Sequence, residues 1–205
     1  MSGSMRRSIL VTSLLAGTPL LALSQSGSIS IRANASSASD IQAISKVLQA
    51  RADELRTAWF GSTSAKVEGN VVVLSFSGWA PRPKLVEAIA VSSRSLRLVV
   101  EPSATDVLLT EADVADAQPG MGKEPELAIR LNDSGVAKLR ARGNALLGRV
   151  VSIYWDDRLV SRPKVNATLV RDISITVPSA DDAMLMAIVL RSGPLPKGTS
   201  LTLVR

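Results

Sequence analysis

Ser161-Arg162-Pro163-Lys164 has the S-x-x-K spacing in which a lysine amine can deprotonate a serine nucleophile. That chemistry needs both side chains on one helical turn. Here Pro163 interrupts the turn and the surrounding "VSIYWDDRLVSRPKV" alternates like a strand, with Ser152, Tyr154 and Asp156 expected to point outward. No S-D-N follows, and Lys197-Gly198-Thr199 reads K-G-T rather than K-T-G. The acid pairs Asp156-Asp157 and Asp181-Asp182 could supply a general acid and base, but neighbours in a strand point to opposite faces. Asp156-Asp157 falls at a hairpin, and Asp182 suits the positive end of a helix. Gly120-Met121-Gly122-Lys123 departs from a phosphate-cradling loop at Ala117 and Glu124. The chain has no Cys and no His, which removes disulfides, thiol nucleophiles, His- or Cys-built zinc sites and every Ser-His-Asp arrangement. The residues therefore read as a non-enzyme with no catalytic, cofactor-binding or metal side chain. Two aromatics stand out as contact candidates. Trp79 follows a strand in the Gly/Pro loop "SFSGWAPRP", where it either meets a partner or covers a sheet edge, and Trp155 beside Tyr154 has the same two readings.

The N-terminus reads as an address. Arg6-Arg7 precede an apolar run from Ile9 to Leu23, and Ala22-Leu23-Ser24 fits small-x-small cleavage, so residues 1–24 are expected to leave between Ser24 and Gln25. Pro19 and the shortness of the run disfavour a span, and an uncleaved anchor is the rival. No second run of about eighteen apolar residues follows, so no stable span is expected after cleavage and the protein is expected in the periplasm or secreted. Loss of Arg6 and Arg7 lowers the formal charge from +6 to +4. The basic surplus lies in residues 121–205, with 13 basic and 8 acidic side chains, and in an exported chain suits a solvated surface rather than nucleic acid.

The rest reads as two α+β units in series. In the first, "SISIRA" is a strand and Ser39 with Gln42 begins a helix whose stripe is Ile41, Ile44, Val47, Leu48 and Leu55, ending near Trp59. Strands near Ser64–Val67 and Val71–Ser77 follow. After them come a helix over Lys84–Val91 and "LRLVVE" (Leu96–Glu101) as the last strand, a β-α-β-β-α-β ferredoxin-like order over 25–104. Residues 105–124 read as a hinge, with Thr110 and Asp113 around a helical turn and Pro119-Gly120 at the end. The second unit, 125–205, places a strand at Glu126–Leu131 and a helix capped by Asn132 and stopped by Gly143. It continues with strands at Arg149–Trp155, Leu159–Asn166 and Ile173–Val177, a helix Ala183–Leu190 capped by Ser179 with Asp182, and a strand Ser200–Val204.

The closing "LRSGPLP", with its glycine stop and prolines, resembles the "L-R-S-G-A-L-P" that ends the large periplasmic domain of the SecD family. "ISKVLQARADELR" is similar to that family's "A-L-x-x-L-R-x-R-V-D-E-L-G". In the same way "VLLTEADVADAQPG" is similar to "P-L-L-T-G-x-D-V-x-D-A", and "PELAIRLNDSGVAKL" to "P-x-V-x-L-x-F-N-x-E-G-A-x-K-F". The resemblance covers about Ile29 to Val204. It implies that the first unit is the family's base and the second its head, an α/β sandwich. It further implies an accessory role in protein export without cofactors, with contacts to translocating or exported polypeptides or to Sec translocon components, Trp79 and Trp155 being the candidate contacts. Two departures stand against it: "NATLVRDISI" replaces the family's Gly-Gly-Ser loop, and the membrane helices are missing, so the chain looks like a free-standing periplasmic domain. The alternative is a structural subunit of another envelope complex, with its new interface near Val165–Ile173.

Overall fold

The computed structural model describes residues 25–59, 61–78, 83–120 and 122–204, and the expected signal segment 1–24 lies outside them. Strand β1 (Gln25–Asn34) turns Ile31 and Ala33 into a core. Helix α1 (Ala38–Trp59) lays Ile41, Ile44 and Leu48 on the same core and Leu55 on the larger core beyond it, along the apolar stripe expected of it. Its first turn is held by Ser37 rather than Ser39: the Ser37 hydroxyl accepts the Asp40 N–H at 3.1 Å. Strands β2 (Gly61–Glu68) and β3 (Val71–Gly78) form a hairpin, Gly69 supplying the left-handed turn residue at φ 64°. Helix α2 (Pro83–Val91) begins on a proline, whose missing N–H would be unbonded there in any case.

From this point the chain departs from the serial order expected. Strand β4 (Leu96–Val100) leaves the first sheet and is paired on both sides in a second, whose order is β5–β4–β8–β9. Its partners are β5 (Val107–Thr110) and β8 (Val151–Trp155), with β9 (Arg158–Ser161) on the far side of β8. The fourth place in the first sheet goes to β11 (Ser200–Val204), which pairs with β1 from Ser30↔Val204 to Asn34↔Ser200, giving the order β11–β1–β3–β2. The physical reason is in the two strands themselves. Leu96, Leu98, Val99 and Val100 are buried on both faces of β4, as a central strand requires, whereas β11 alternates exposed Ser200 and Thr202 with half-buried Leu201 and Leu203, as an edge allows.

The stretch read as a hinge, 105–124, contains β5 and a 3-10 turn at Glu111–Asp113. It also contains β6 (Val114–Pro119), which joins β7 (Glu126–Leu131) and β10 (Asp172–Thr176) in a third sheet of order β10–β7–β6. Every strand pairing among the described residues is antiparallel. Helix α3 (Asp133–Arg142) starts as expected at Asn132, whose side chain accepts the Gly135 N–H at 3.0 Å, and stops at Gly143, φ 45°. Helix α4 (Ala180–Arg191) is capped by the Ser179 hydroxyl on the Asp182 N–H at 3.1 Å and ends at Ser192 before Gly193, φ 90°. Met186, Ala187, Ile188, Val189 and Leu190 are all buried, so α4 is a central helix touching α1, α2, β6 and β7. The strand expected to run to Asn166 stops at Ser161. Beyond it the chain makes a single bridge, Lys164 to Val150, before entering β10.

Candidate functional site

The acids that could have carried chemistry hold the fold, and the S-x-x-K pair lies on extended chain. Ser161 ends β9 and Lys164 sits in an extended bridge, so no helical turn brings the pair together. Asp156 and Asp157 form the two-residue turn between β8 and β9, both at positive φ. The Asp156 carboxylate accepts the Ser92 hydroxyl at 2.7 Å and the Ser95 N–H at 3.0 Å, while Asp157 pairs with Arg97. Asp182 serves its helix start and meets Arg158 at 2.8 Å. Ser152, expected to face outward, is buried and donates to the Glu101 carboxylate. Arg162 binds the same carboxylate, and that bond, helped by Ser152, holds the Glu101 pKa below the usual range. Trp155 is 4% exposed in the main core, so it offers no surface to a partner: the large ring fills the space beneath the sheet. Trp79 and Ser24 lie outside the described residues, and Gln25 is the first residue of β1.

Two buried polar clusters explain the motifs. Arg51 on α1 is 1% exposed and donates to the Ile89 carbonyl at 2.8 Å, the Ser92 carbonyl at 2.9 Å and the Ser192 hydroxyl at 3.3 Å. It thereby joins the first helix to the ends of α2 and α4. Burial pulls its pKa down to about 10, which still leaves it charged at neutral pH. Arg94 donates to the Leu190 carbonyl at 2.8 Å, and Arg191 reaches both the Ala117 carbonyl at 2.9 Å and Glu54 at 2.7 Å. The Leu190-Arg191-Ser192-Gly193 sequence is therefore the point where α1, α2, β6 and α4 are tied together. Asp113 forms the second cluster. Its side chain is 2% exposed, and it accepts the Thr110 N–H at 2.9 Å, the Ser134 hydroxyl at 3.2 Å and the Lys138 ammonium at 2.7 Å. Burial alone would raise its pKa, but the Lys138 bond and the two other donors outweigh it and leave the carboxyl below its ordinary value.

Two open hollows flank β10. On its inner side Val151, Ile153, Val165, Leu169, Ile173 and Ile175 surround an apolar cleft of about 370 Å³, with Lys164 at its margin and Val170, 61% exposed, at its lip. On its outer face Asp116, Gln118, Ala128, Arg130, Asp172 and Ser174 line a shallow hollow of about 320 Å³. Register places Asp116, Arg130 and Asp172 in one row across three strands, with Arg130 bonded to Asp172 at 2.9 Å. The cleft wall is the "NATLVRDISI" stretch. In the sequence it showed only as a departure from a familiar loop, because its apolar residues wall a space bounded by strands far away in the chain.

Among the described residues no helix is long and apolar enough to cross a membrane. The sequence pattern of the SecDF P1 head subdomain matches residues 88–197. The protein-export membrane protein SecD of Methanothermobacter thermautotrophicus is 30% identical over 104 residues, covering 44% of this chain and 26% of that protein. The chain thus spans about a quarter of that curated relative. Two solved structures share the fold. SecDF in its super-membrane-facing form aligns with a TM-score of 0.70 at 18% identity, covering 90% of this chain and 30% of that one. A structure of SecDF described as a membrane component that enhances protein export aligns with a TM-score of 0.62 at 18% identity, covering 87% of this chain and 99% of that one.

Proposed function

The chain belongs to the SecDF P1 head subdomain family, and from that premise we propose that it is a non-enzymatic periplasmic accessory domain of protein export that contacts translocating or newly exported polypeptides. The observation that carries this reading is the combination of a family match over residues 88–197 with an open apolar cleft beside a sheet edge in that same stretch. Exported chains travel unfolded, and an unfolded chain presents apolar side chains and an unpaired backbone, which a cleft and a strand edge complement. The absence of His and Cys from the sequence and the structural employment of Asp113, Asp156 and Asp182 favour binding over turnover. In this reading the first sheet is a ferredoxin-like base whose fourth strand is β11, and the second and third sheets with α4 are the head.

The test is a pulse-chase of precursor processing in cells depleted of the protein. Slower maturation of several unrelated exported proteins is expected. Unchanged kinetics for all of them would overturn the export role and favour the second reading, a structural subunit of another envelope complex. That reading has its own support in the wall of the cleft, which is the "NATLVRDISI" stretch that replaces the family's Gly-Gly-Ser loop.

A further inference from the structure

We propose that β10 is an acceptor edge on which an extended polypeptide segment of alternating apolar and basic residues pairs as an added strand. This rests on the reading that the domain contacts unfolded polypeptides, and names where and what kind. Among the described residues only β7 pairs with β10. The Leu131 N–H donates to the Arg171 carbonyl and the Val177 N–H to the Pro125 carbonyl, which fixes the phase of the ladder. Residues 171, 173, 175 and 177 turn their backbone groups toward β7, so Asp172, Ser174 and Thr176 turn theirs away from it.

The opposite edge of the same sheet is blunted in three ways: β6 contains Pro119, has an irregular register between Val114 and Asp116, and has its Ala117 carbonyl taken by Arg191 at 2.9 Å. Strand β10 has no proline, its register with β7 is regular, and among the described residues no side chain bonds its outward backbone groups, the Ser174 hydroxyl turning to Glu126. Strand β2 is also an edge, but the depression beside it is lined by polar Ser45, Gln49 and Asp53 and lacks an apolar wall.

Space and charge select the occupant. Residues Asp172, Ile173 and Ser174 line both the inner cleft and the outer hollow, so a strand laid beside them sends alternate side chains to each. Those turned inward meet Ile173, Ile175 and Leu169 and must be apolar. Those turned outward meet a face on which, among the described residues, Asp116, Asp172 and Glu126 stand against one cation, Arg130, so positive charge is favoured there.

The probe is a fluorescent nine-residue peptide in which Val and Lys alternate, compared with one in which Val and Glu alternate, both titrated against residues 25–205 by anisotropy. The Val-Lys peptide is expected to bind at least tenfold more tightly. Ser174→Pro, which removes an outward N–H while leaving the ladder to β7, is expected to lose at least tenfold in affinity, and Ser174→Ala less than twofold. Should Ser174→Pro fail to fold, hydrogen exchange on the wild-type chain answers the same question: bound peptide is expected to slow the amides of Ser174 and Thr176. Equal affinity for the two peptides, full binding by folded Ser174→Pro, or protection confined to another strand would overturn the acceptor edge while leaving polypeptide contact intact. If neither peptide nor any urea-unfolded exported protein binds, the broader reading falls with it.

Discussion

Replacing Asp113 by Asn tests whether the second buried cluster is as costly to disturb as its geometry implies. The carboxylate accepts three donors within 3.2 Å and is almost wholly covered, while Lys138 is about half exposed and stays solvated when its partner is neutralised. The full 3–5 kcal/mol of a broken buried pair does not apply, because the charge left behind can reach water. What is lost is the charge assistance to the three donors, and the Asn amide turns its own N–H toward one of them. About 2–3 kcal/mol is expected. The pH dependence fixes the mechanism. Asp113 titrates below its ordinary value in the folded chain, so its contribution is full above the unfolded pKa of about 3.9 and is lost as pH falls through the lower folded value. Urea unfolding of residues 25–205 at pH 7 and at steps down to pH 2 measures it. The gap between wild type and Asp113→Asn is expected to be widest at neutral pH and to close below about pH 4. A gap under about 0.5 kcal/mol at pH 7, the ordinary scatter of a surface change, would refute the reasoning, as would a gap that persists unchanged to pH 2.

Arg51→Met is expected to cost about 2–4 kcal/mol in the same assay, since the carbonyls of Ile89 and Ser92 lose a buried donor; a cost below about 1 kcal/mol would show that water replaces the guanidinium. Trp155→Ala is expected to destabilise by about 3–5 kcal/mol, read by thermal or urea unfolding, whereas a surface contact residue would leave stability nearly unchanged. Mass spectrometry of the exported protein is expected to find Gln25 as its first residue, and recovery of the intact segment 1–24 on membranes would contradict cleavage.

Local signals in the sequence were sufficient where one element sets its own geometry. Asn132, Gly143, Ser179 and Gly193 each do at their helix ends what their residue types imply, and Thr110 with Asp113 brackets its turn as spaced. Strand pairing between distant segments was not legible. "LRLVV" satisfies a strand in any sheet, and nothing near it reveals that Val151–Trp155, about fifty residues on, is its partner, or that the C-terminal strand returns to β1. Strand β5 was hidden because it is only four residues long, and β6 because the punctuation of Pro119-Gly120 reads as a linker when no partner strand is in view. The cleft beside β10 escaped for the same reason, its walls coming from β4, β8, β10 and the 163–170 segment. Trp155 kept two readings because an aromatic at a strand end looks alike whether it faces solvent or core; its burial in the main core decides it.

The central claim, that this domain meets exported polypeptides in the course of export, is tested most directly by placing a photo-crosslinking amino acid at Val170, the exposed lip of the cleft, and identifying what it captures in intact cells. The account predicts adducts with many unrelated exported chains together with Sec translocon components, and a sharp fall in those adducts when export is blocked. One dedicated envelope protein as the sole adduct, unchanged by the export block, would contradict it.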